Sequence, residues 1–131
     1  MSNLEKQVIY LSEAYHGSCH DYAIMKKEFN YKDQNWFEDE QVWVDLGFQG
    51  IQKDYDAEVM IPHKKPKNGE LTQRQKQYNQ YISKIRVKIE HVIAGIKRYR
   101  ILSDRLRVKD FYKYNQIMGI CAAIWNFNLN Y

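Results

Sequence analysis

The stretch that most constrains this chain runs from Tyr81 to Arg98 and reads YISKIRVKIEHVIAGIKR. At about 100° per residue, its apolar residues recur at helical rather than strand spacing and share one face. Arg86, Glu90 and Lys97 lie beside that face within an arc of roughly 40°. The apolar face consists of Ile82, Ile85, Ile89, Val92, Ile93 and Ile96. The stretch therefore predicts one long amphipathic helix, with a carboxylate between two cations at the edge of its buried face.

The position of Glu90 has two interpretations. At the edge of a buried face, its carboxylate would be half-shielded from water and could be held rigidly without the full cost of desolvation. Alternatively, Arg86 and Glu90 form a solvated i,i+4 ion pair that contributes only a few tenths of a kcal/mol. The spacing by itself favours the solvated pair.

The composition is that of a folded domain with a mild positive charge. The chain has 131 residues, of which 44% are hydrophobic and 15% aromatic, and this excludes a disordered polymer. The length predicts one domain with a modest core. A net charge of +4 is compatible with a nucleic-acid partner but does not require one. The aromatic residues are suited to core packing, or to stacking on bases.

The cysteine and histidine content argues against a structural role for disulfides or zinc. Cys19 and Cys121 are too few for a disulfide framework, and no second ligand pair at zinc spacing follows His16, Cys19 and His20. We find no signal peptide and no apolar run long enough to span a bilayer. We expect a cytoplasmic, nucleoid-associated protein with no membrane partner.

The first half of the chain alternates short β-rich runs with turns. We predict strands at Gln7 to Leu11, at Gln41 to Asp45 and at Glu58 to Pro62. A short helix should begin at Asp21, which either caps it or serves as an accessory acid. Asp45 ends the second strand before two glycines, at the carboxyl end of a strand where α/β sheets bind ligands. An aspartate before a glycine is also a common turn former.

The second half is helical and basic. His63 to Gly69 is a proline- and glycine-bearing loop that places Lys64 and Lys65 in solvent or against phosphate. A capping box formed by Thr72 and Gln75 should open the long helix. The stretch that follows is rich in arginine, whose planar fork suits phosphate, and it contains Arg98, Arg100, Arg105 and Arg107. Asp110 should cap a last apolar helix to about Phe127, which we expect to cover the sheet.

Three segments resemble one protein family, and they occur in the family's order. HGSCHD and VDLGFQG are similar to two segments of insertion-sequence transposases of the DDE superfamily, and Arg86-x3-Glu90-x6-Lys97 resembles the R-E-K part of their Y-R-E-K signature. Ser83 stands where that signature has a tyrosine, and Tyr81 is the nearest one. The resemblance extends from Tyr10 to Asn128.

The resemblance implies a ribonuclease H-like fold in which carboxylates hold two divalent metal ions. Asp45 and Glu90 would bind Mg²⁺ or Mn²⁺, and these ions would support in-line attack on a phosphodiester. Arg86 and Lys97 would position the glutamate helix within the catalytic site. The DNA partner would be the ends of an insertion element, contacted by Lys64, Lys65, Lys97, Arg98, Arg100, Arg105 and Arg107.

The same resemblance implies that the family's first aspartate and its strand are missing. We therefore expect residues 1–131 to be the carboxy-terminal part of a transposase catalytic domain. The fold class would be α/β, a partial ribonuclease H-like fold with an incomplete mixed sheet packed by helices. Such a chain would not cleave DNA by itself, and it would pair with an upstream transposase fragment or with a second copy. Two alternatives remain open: a non-enzymatic DNA-binding remnant, and a purely structural or interaction piece.

Overall fold

A computed structural model describes residues 1–103 and 110–130 of the chain. They form two compact units: a central unit, Tyr15–Lys84, and a terminal unit, Met1–Ala14 with Ile85–Tyr131. The described elements are α1 (Asp21–Glu28), β1 (Gln41–Trp43), a 3₁₀ turn (Leu46–Phe48), α2 (Ile51–Asp54), β2 (Glu58–Met60), α3 (Gln73–Lys97), α4 (Arg100–Ser103) and α5 (Phe111–Leu129).

The central unit contains a small parallel sheet. β1 and β2 pair in parallel, with Val42 opposite Val59 and Trp43 opposite Met60. The two strands predicted at these positions are confirmed, although both end before the predicted last residue. Because parallel neighbours need a crossover connection, the 3₁₀ turn and α2 lie between them in the chain. The expectation of a mixed sheet was wrong for the described residues, where the sheet has these two strands.

The core of the central unit lies where α1 and α2 meet the two strands. Ile51 on α2 is 1% exposed, and it packs in a cluster with Met25, Phe37 and Tyr55. Val42 and Val59 of the sheet pack against this cluster, together with Tyr22, Phe29, Val44, Phe48 and Ala57. Aromatic edges fill the space, as in the pair of Phe37 and Tyr55 with ring centroids 5.3 Å apart. These aromatic residues therefore pack in the core, which is one of the two roles that the composition suggested; the other was stacking on nucleic-acid bases.

The cap of α1 differs from the sequence prediction. His20 is the N-cap, with an extended backbone, and its Nδ1 accepts a hydrogen bond from the Tyr22 amide at 3.3 Å. Asp21 is the first helical residue, so the interpretation of Asp21 as the cap was wrong. Its carboxylate lies in the first turn, where a negative charge favours the helix dipole. An imidazole thus accepts the amide proton that we assigned to a carboxylate.

The terminal unit corrects the prediction of a strand at Gln7 to Leu11. In place of a strand, an isolated antiparallel bridge joins Ser2 and Val8. Both backbone groups of Val8 are bonded by the side chain of Asn126 on α5, each at 2.8 Å. The indole of Trp125 donates to the Lys6 carbonyl at 2.8 Å. Helix side chains therefore take the place of a neighbouring strand, and α5 holds residues 1–14 within its own unit.

The long helix and its start agree with the prediction. The Thr72 amide donates to Gln75 Oε1 at 2.9 Å, and the Gln75 amide donates to Thr72 Oγ1 at 3.3 Å, which is the reciprocal capping box. Ile82 and Val92 are buried on the predicted face, whereas Ile93 is 48% exposed. Asp110 caps α5 as expected, accepting from the Tyr112 amide at 3.0 Å.

Over residues 1–103 and 110–130, no helix is both long enough and apolar enough to cross a bilayer.

Candidate functional site

Asp45 lies two residues beyond the carboxyl end of β1. It is the N-cap of the 3₁₀ turn, and its Oδ1 accepts a hydrogen bond from the Gly47 amide at 2.7 Å. A Cβ built on Gly47 would lie 2.9 Å from that oxygen, so only glycine lets the backbone approach so closely. The side chain is exposed to solvent. The turn therefore orients an accessible carboxylate at the end of a parallel strand.

Further contacts within the central unit support the turn that bears Asp45. Gly50 has a φ of 99°, a conformation that favours glycine, and it allows the chain to reverse into α2. The ring of Tyr22 packs edge-on against Phe48 of the 3₁₀ turn, with centroids 5.9 Å apart. At the far end of α2, Asp54 Oδ2 accepts from the Tyr22 hydroxyl at 2.5 Å. One tyrosine of α1 thus contacts both the 3₁₀ turn that follows Asp45 and the last residue of α2.

The carboxylate of Asp54 is paired as well as hydrogen-bonded. Lys26 Nζ lies 2.5 Å from Asp54 Oδ2 and 4.5 Å from the centroid of the Tyr22 ring. The bond from Lys26, followed by that from Tyr22, lowers the pKa of Asp54 below its ordinary value of 3.8. Burial, followed by the bond to Asp54, raises the pKa of Tyr22. Asp54 therefore stays ionised at neutral pH, while the Tyr22 hydroxyl remains a proton donor.

Glu90 lies on the exposed side of α3, in the terminal unit. Its Oε1 is 3.1 Å from Nε of Arg86, an i,i+4 pair in which the two side chains are 59% and 58% exposed. This exposure is greater than that of a half-shielded carboxylate. The structure thus brings Arg86 and Glu90 together as the spacing predicted. Asp45 belongs to the central unit. The contacts described for each carboxylate are therefore made within its own unit.

The tyrosine nearest to the family's signature position belongs to the central unit. Tyr81 is 51% exposed, and its ring packs edge-on against Trp43 with centroids 5.6 Å apart. Trp43 is the last residue of β1 and precedes Asp45 by two positions. Ser83 is exposed. Tyr81 therefore lies near the end of the strand that leads to Asp45.

The predicted DNA-contacting side chains lie in both units. Lys64 and Lys65 are exposed on the loop after β2. Lys97 and Arg98 are exposed at the end of α3, and Arg100 opens α4. Arg105 and Arg107 lie outside the described residues. The loop after β2 is anchored by Asn79, whose side chain bonds both backbone groups of His63.

A ready-made metal cage is not part of the described structure. Among residues 1–103 and 110–130, no three His, Cys, Asp or Glu side chains lie together as a possible cation site. Asp45 and Glu90 nevertheless offer the hard oxygen ligands that Mg²⁺ prefers, and both side chains are accessible. The donor chemistry of these two residues therefore fits a divalent ion.

Several supporting residues were not predicted. Tyr22, Lys26 and Asp54 form a network that spacing could not reveal, since Tyr22 and Asp54 are 32 positions apart. Asn79 and Asn126 lie within helices, where asparagine is a poor helix former and usually faces solvent. That low propensity is a weak signal, and their contacts with His63 and Val8 become visible only in the folded chain.

Comparison with known proteins identifies relatives of the chain. Residues 1–126 match the model of a family described as DDE superfamily endonuclease. The chain is 31% identical over 113 residues to a protein of Microchaete diplosiphon named "Probable transposase for insertion sequence element IS702". That match covers 86% of this chain and 39% of the relative, so the chain spans about two fifths of the relative's length. No solved structure matches the chain.

Proposed function

Because the chain belongs to the DDE superfamily of endonucleases, we propose that it contributes two catalytic carboxylates, Asp45 and Glu90, to DNA strand cleavage and transfer in transposition. In this proposal residues 1–131 are the carboxy-terminal part of a catalytic domain with a ribonuclease H-like fold. The described part of the chain is α/β, with a two-stranded parallel sheet. The name of the IS702 relative supports insertion-element DNA as the substrate.

The position of Asp45 is the observation that carries the proposal. A parallel strand delivers it to the edge of a sheet where α/β proteins commonly bind ligands. The Gly47 amide holds one oxygen and leaves the carboxylate open to solvent. An aspartate that served only the turn would need the bond to Gly47 and nothing beyond it. The family match adds the reason to assign chemistry to the remaining oxygen.

Asp45 and Glu90 would hold the metal, and their partners would orient them. When bound, divalent ions would activate the attacking oxygen and stabilise the leaving oxygen of a phosphodiester. Arg86 restrains the Glu90 carboxylate through its contact at 3.1 Å, and it offers further donors to a phosphate. Lys97 would lie near phosphate at the end of the same helix.

The basic residues would hold DNA by its backbone. Lysine and arginine release counterions when they neutralise phosphates, which gives sequence-independent affinity. Lys64 and Lys65 would do so from the loop after β2. The remaining members of the proposed surface are Lys97, Arg98, Arg100, Arg105 and Arg107. A DNA-binding chain without chemistry, the alternative function, would keep these contacts and lose nothing on removal of Asp45.

Paramagnetic broadening by Mn²⁺ tests the proposal on the chain itself. Added Mn²⁺ should broaden the amide signals of Gly47 and His91, the neighbours of the two carboxylates, at lower concentration than signals elsewhere. Asp45→Asn should remove the effect at Gly47, and Glu90→Gln should remove it at His91. Asp56→Asn, which removes another exposed acid of the central unit, is the matched control. Uniform broadening across the chain, or broadening unaffected by Asp45→Asn, would refute the metal site.

A further inference from the structure

We propose that Asn79 is a positioning residue that fixes the loop bearing Lys64 and Lys65 for contact with DNA phosphates. This inference rests on the proposed DNA contact of those two lysines. The inference goes beyond that contact, because it assigns the conformation of the loop to one side chain on another element. Asn79 lies on α3, whereas the loop leaves the carboxyl end of β2.

The side chain of Asn79 brackets one residue of the loop. Its Oδ1 accepts a hydrogen bond from the His63 amide at 2.8 Å, and its Nδ2 donates to the His63 carbonyl at 3.0 Å. One carboxamide thus satisfies both backbone groups of a residue that itself lies outside the strands and helices. The two bonds fix the position and the orientation of the peptide units on either side of His63. Lys64 follows directly.

A second contact joins the same residue to the same helix. The His63 ring packs on Tyr78 with centroids 5.1 Å apart, and the Tyr78 hydroxyl lies 4.0 Å from Sδ of Met60, the last residue of β2. The beginning of the loop is therefore held by two successive residues of α3, through its backbone and through a ring.

The local sequence restricts the rest of the loop. Pro62 and Pro66 have fixed φ angles and stand on either side of the His63-Lys64-Lys65 segment. The residue before a proline is pushed to an extended conformation, which applies to Lys65. Because His63 is held by Asn79 and prolines flank the segment, the two lysines project from a backbone that has little conformational freedom left to lose on binding. Preorganisation of this kind raises affinity because less conformational entropy is lost when the contacts form.

The helix does not need an asparagine at position 79. Asparagine is less favourable than alanine in a helix interior, so Asn79→Ala should strengthen α3 and release only the loop. Gln80 is the neighbouring amide side chain; it is exposed, so Gln80→Ala is the matched control. Loss of DNA affinity in Asn79→Ala would therefore not come from a weakened helix.

The experiment is a double-mutant cycle on the full chain, measured by fluorescence anisotropy with a short DNA duplex over a range of salt concentrations. Asn79→Ala should bind roughly threefold to tenfold more weakly, because the two lost hydrogen bonds each contribute modestly. Lys64→Gln with Lys65→Gln should lower the salt slope by about 0.9 for each lost phosphate contact. Adding Asn79→Ala to that double variant should change neither affinity nor slope, and Gln80→Ala should bind like the unaltered chain. Faster hydrogen exchange at the His63 amide in Asn79→Ala would verify that the bracket is lost.

The outcomes separate the two proposals. If Asn79→Ala weakens binding equally with and without the lysines, it acts through general stability and the positioning role is refuted. The role is also refuted if Asn79→Ala binds normally while the lysine variant is weakened. If the lysine variant itself binds like the unaltered chain, the proposed DNA contact of the loop fails, and Asn79 has no DNA contact to position.

Discussion

Gly95 and Trp125 show how a single missing side chain can decide the packing of the terminal unit. Glycine in the middle of a helix costs about 0.5–1 kcal/mol relative to alanine, so the sequence marks position 95 as a weak point of α3. In the fold, the six-membered ring of Trp125 occupies the place where a Cβ would stand. Gly95 is buried, and its lack of a side chain lets the indole lie against the helix backbone. The helical cost is therefore offset by tertiary packing.

Gly95→Ala should destabilise the chain by about 1–3 kcal/mol, because the added methyl overlaps the Trp125 ring in an already packed site. Gly119→Ala is the matched control, since a Cβ built there on α5 meets no atom within 4 Å. That substitution should stabilise the protein by about 0.5–1 kcal/mol through helix propensity. Urea denaturation of both variants gives the two free energies of unfolding. Equal effects of the two substitutions would contradict the packing role.

Asp54 makes the stability of the central unit depend on pH. Its pKa is lowered by Lys26 and then by Tyr22, so its ionised form is favoured by folding, and the stabilisation is present above its ordinary pKa of 3.8. As the pH falls through the lowered pKa, the carboxylate is protonated and the stabilisation is lost. Asp54→Asn should therefore be less stable than the unaltered chain at pH 7, and the difference should shrink below about pH 4. Thermal denaturation at several pH values measures this. Asp33→Asn, which removes an exposed acid of the same unit, is the control. A stability difference for Asp54→Asn that does not change with pH would contradict the role of the Asp54 carboxylate.

At the scale of elements, two helices hold neighbouring chain segments by asparagine rather than by strand pairing. Asn79 of α3 brackets His63 in the central unit, and Asn126 of α5 brackets Val8 in the terminal unit. A carboxamide presents a donor and an acceptor side by side, so it can satisfy one residue as a neighbouring strand would. Asn115 adds a bond to the Ala14 amide at 2.9 Å. Residues 1–14 are thus ordered by side chains more than a hundred positions away.

Asn126→Ala should release the segment around Val8 without weakening α5, since alanine is the better helix former. The Val8 amide should exchange with solvent about tenfold faster, which corresponds to the loss of roughly one hydrogen bond's net contribution. Hydrogen exchange followed by NMR measures the rate. Asn128→Ala, at an exposed position of the same helix, is the control and should leave the Val8 rate unchanged. Unaltered exchange in Asn126→Ala would show that the Asn126 side chain does not protect the Val8 amide.

At the scale of the whole molecule, the proposed function depends on the number of carboxylates. Within residues 1–131 the proposal assigns two carboxylates, Asp45 and Glu90, to the metal site, and two carboxylates neutralise two adjacent dications poorly. Asp21 is the nearby acid that could substitute. Asp21 is an exposed residue of the first helical turn and not the N-cap, so its carboxylate is not engaged in capping the helix.

The purified chain should show no Mg²⁺- or Mn²⁺-dependent nicking of DNA that carries insertion-element ends. Activity should require a further carboxylate from beyond residues 1–131, which can be supplied by adding a second polypeptide. In that mixture Glu90→Gln should abolish nicking, because removal of one metal ligand leaves too little charge to hold the ions. A supercoiled-plasmid assay measures the outcome. Robust nicking by the chain alone, lost on Asp21→Asn, would show that Asp21 is the third catalytic acid.

The sequence by itself determined the elements whose causes are local. The 3.6-residue periodicity and the Thr72–Gln75 capping box predicted α3, and β-rich runs ending in turn residues predicted β1 and β2. The spacing of Arg86 and Glu90 likewise sufficed to predict their ion pair. Neighbours a few positions apart decide each of these features, so their pattern is legible in the linear chain.

Only the tertiary structure decided the features whose partners are distant in sequence. Gln7 to Leu11 has strand composition, yet no strand forms there because Asn126, 118 positions from Val8, takes the backbone bonds. Gly95 is a packing site because of Trp125, and the Tyr22–Asp54 bond joins residues 32 positions apart. Backbone groups must be bonded somewhere, but which group bonds them depends on the elements that packing brings together. Local propensity cannot specify that choice, because it carries no information about which distant residue will be the neighbour.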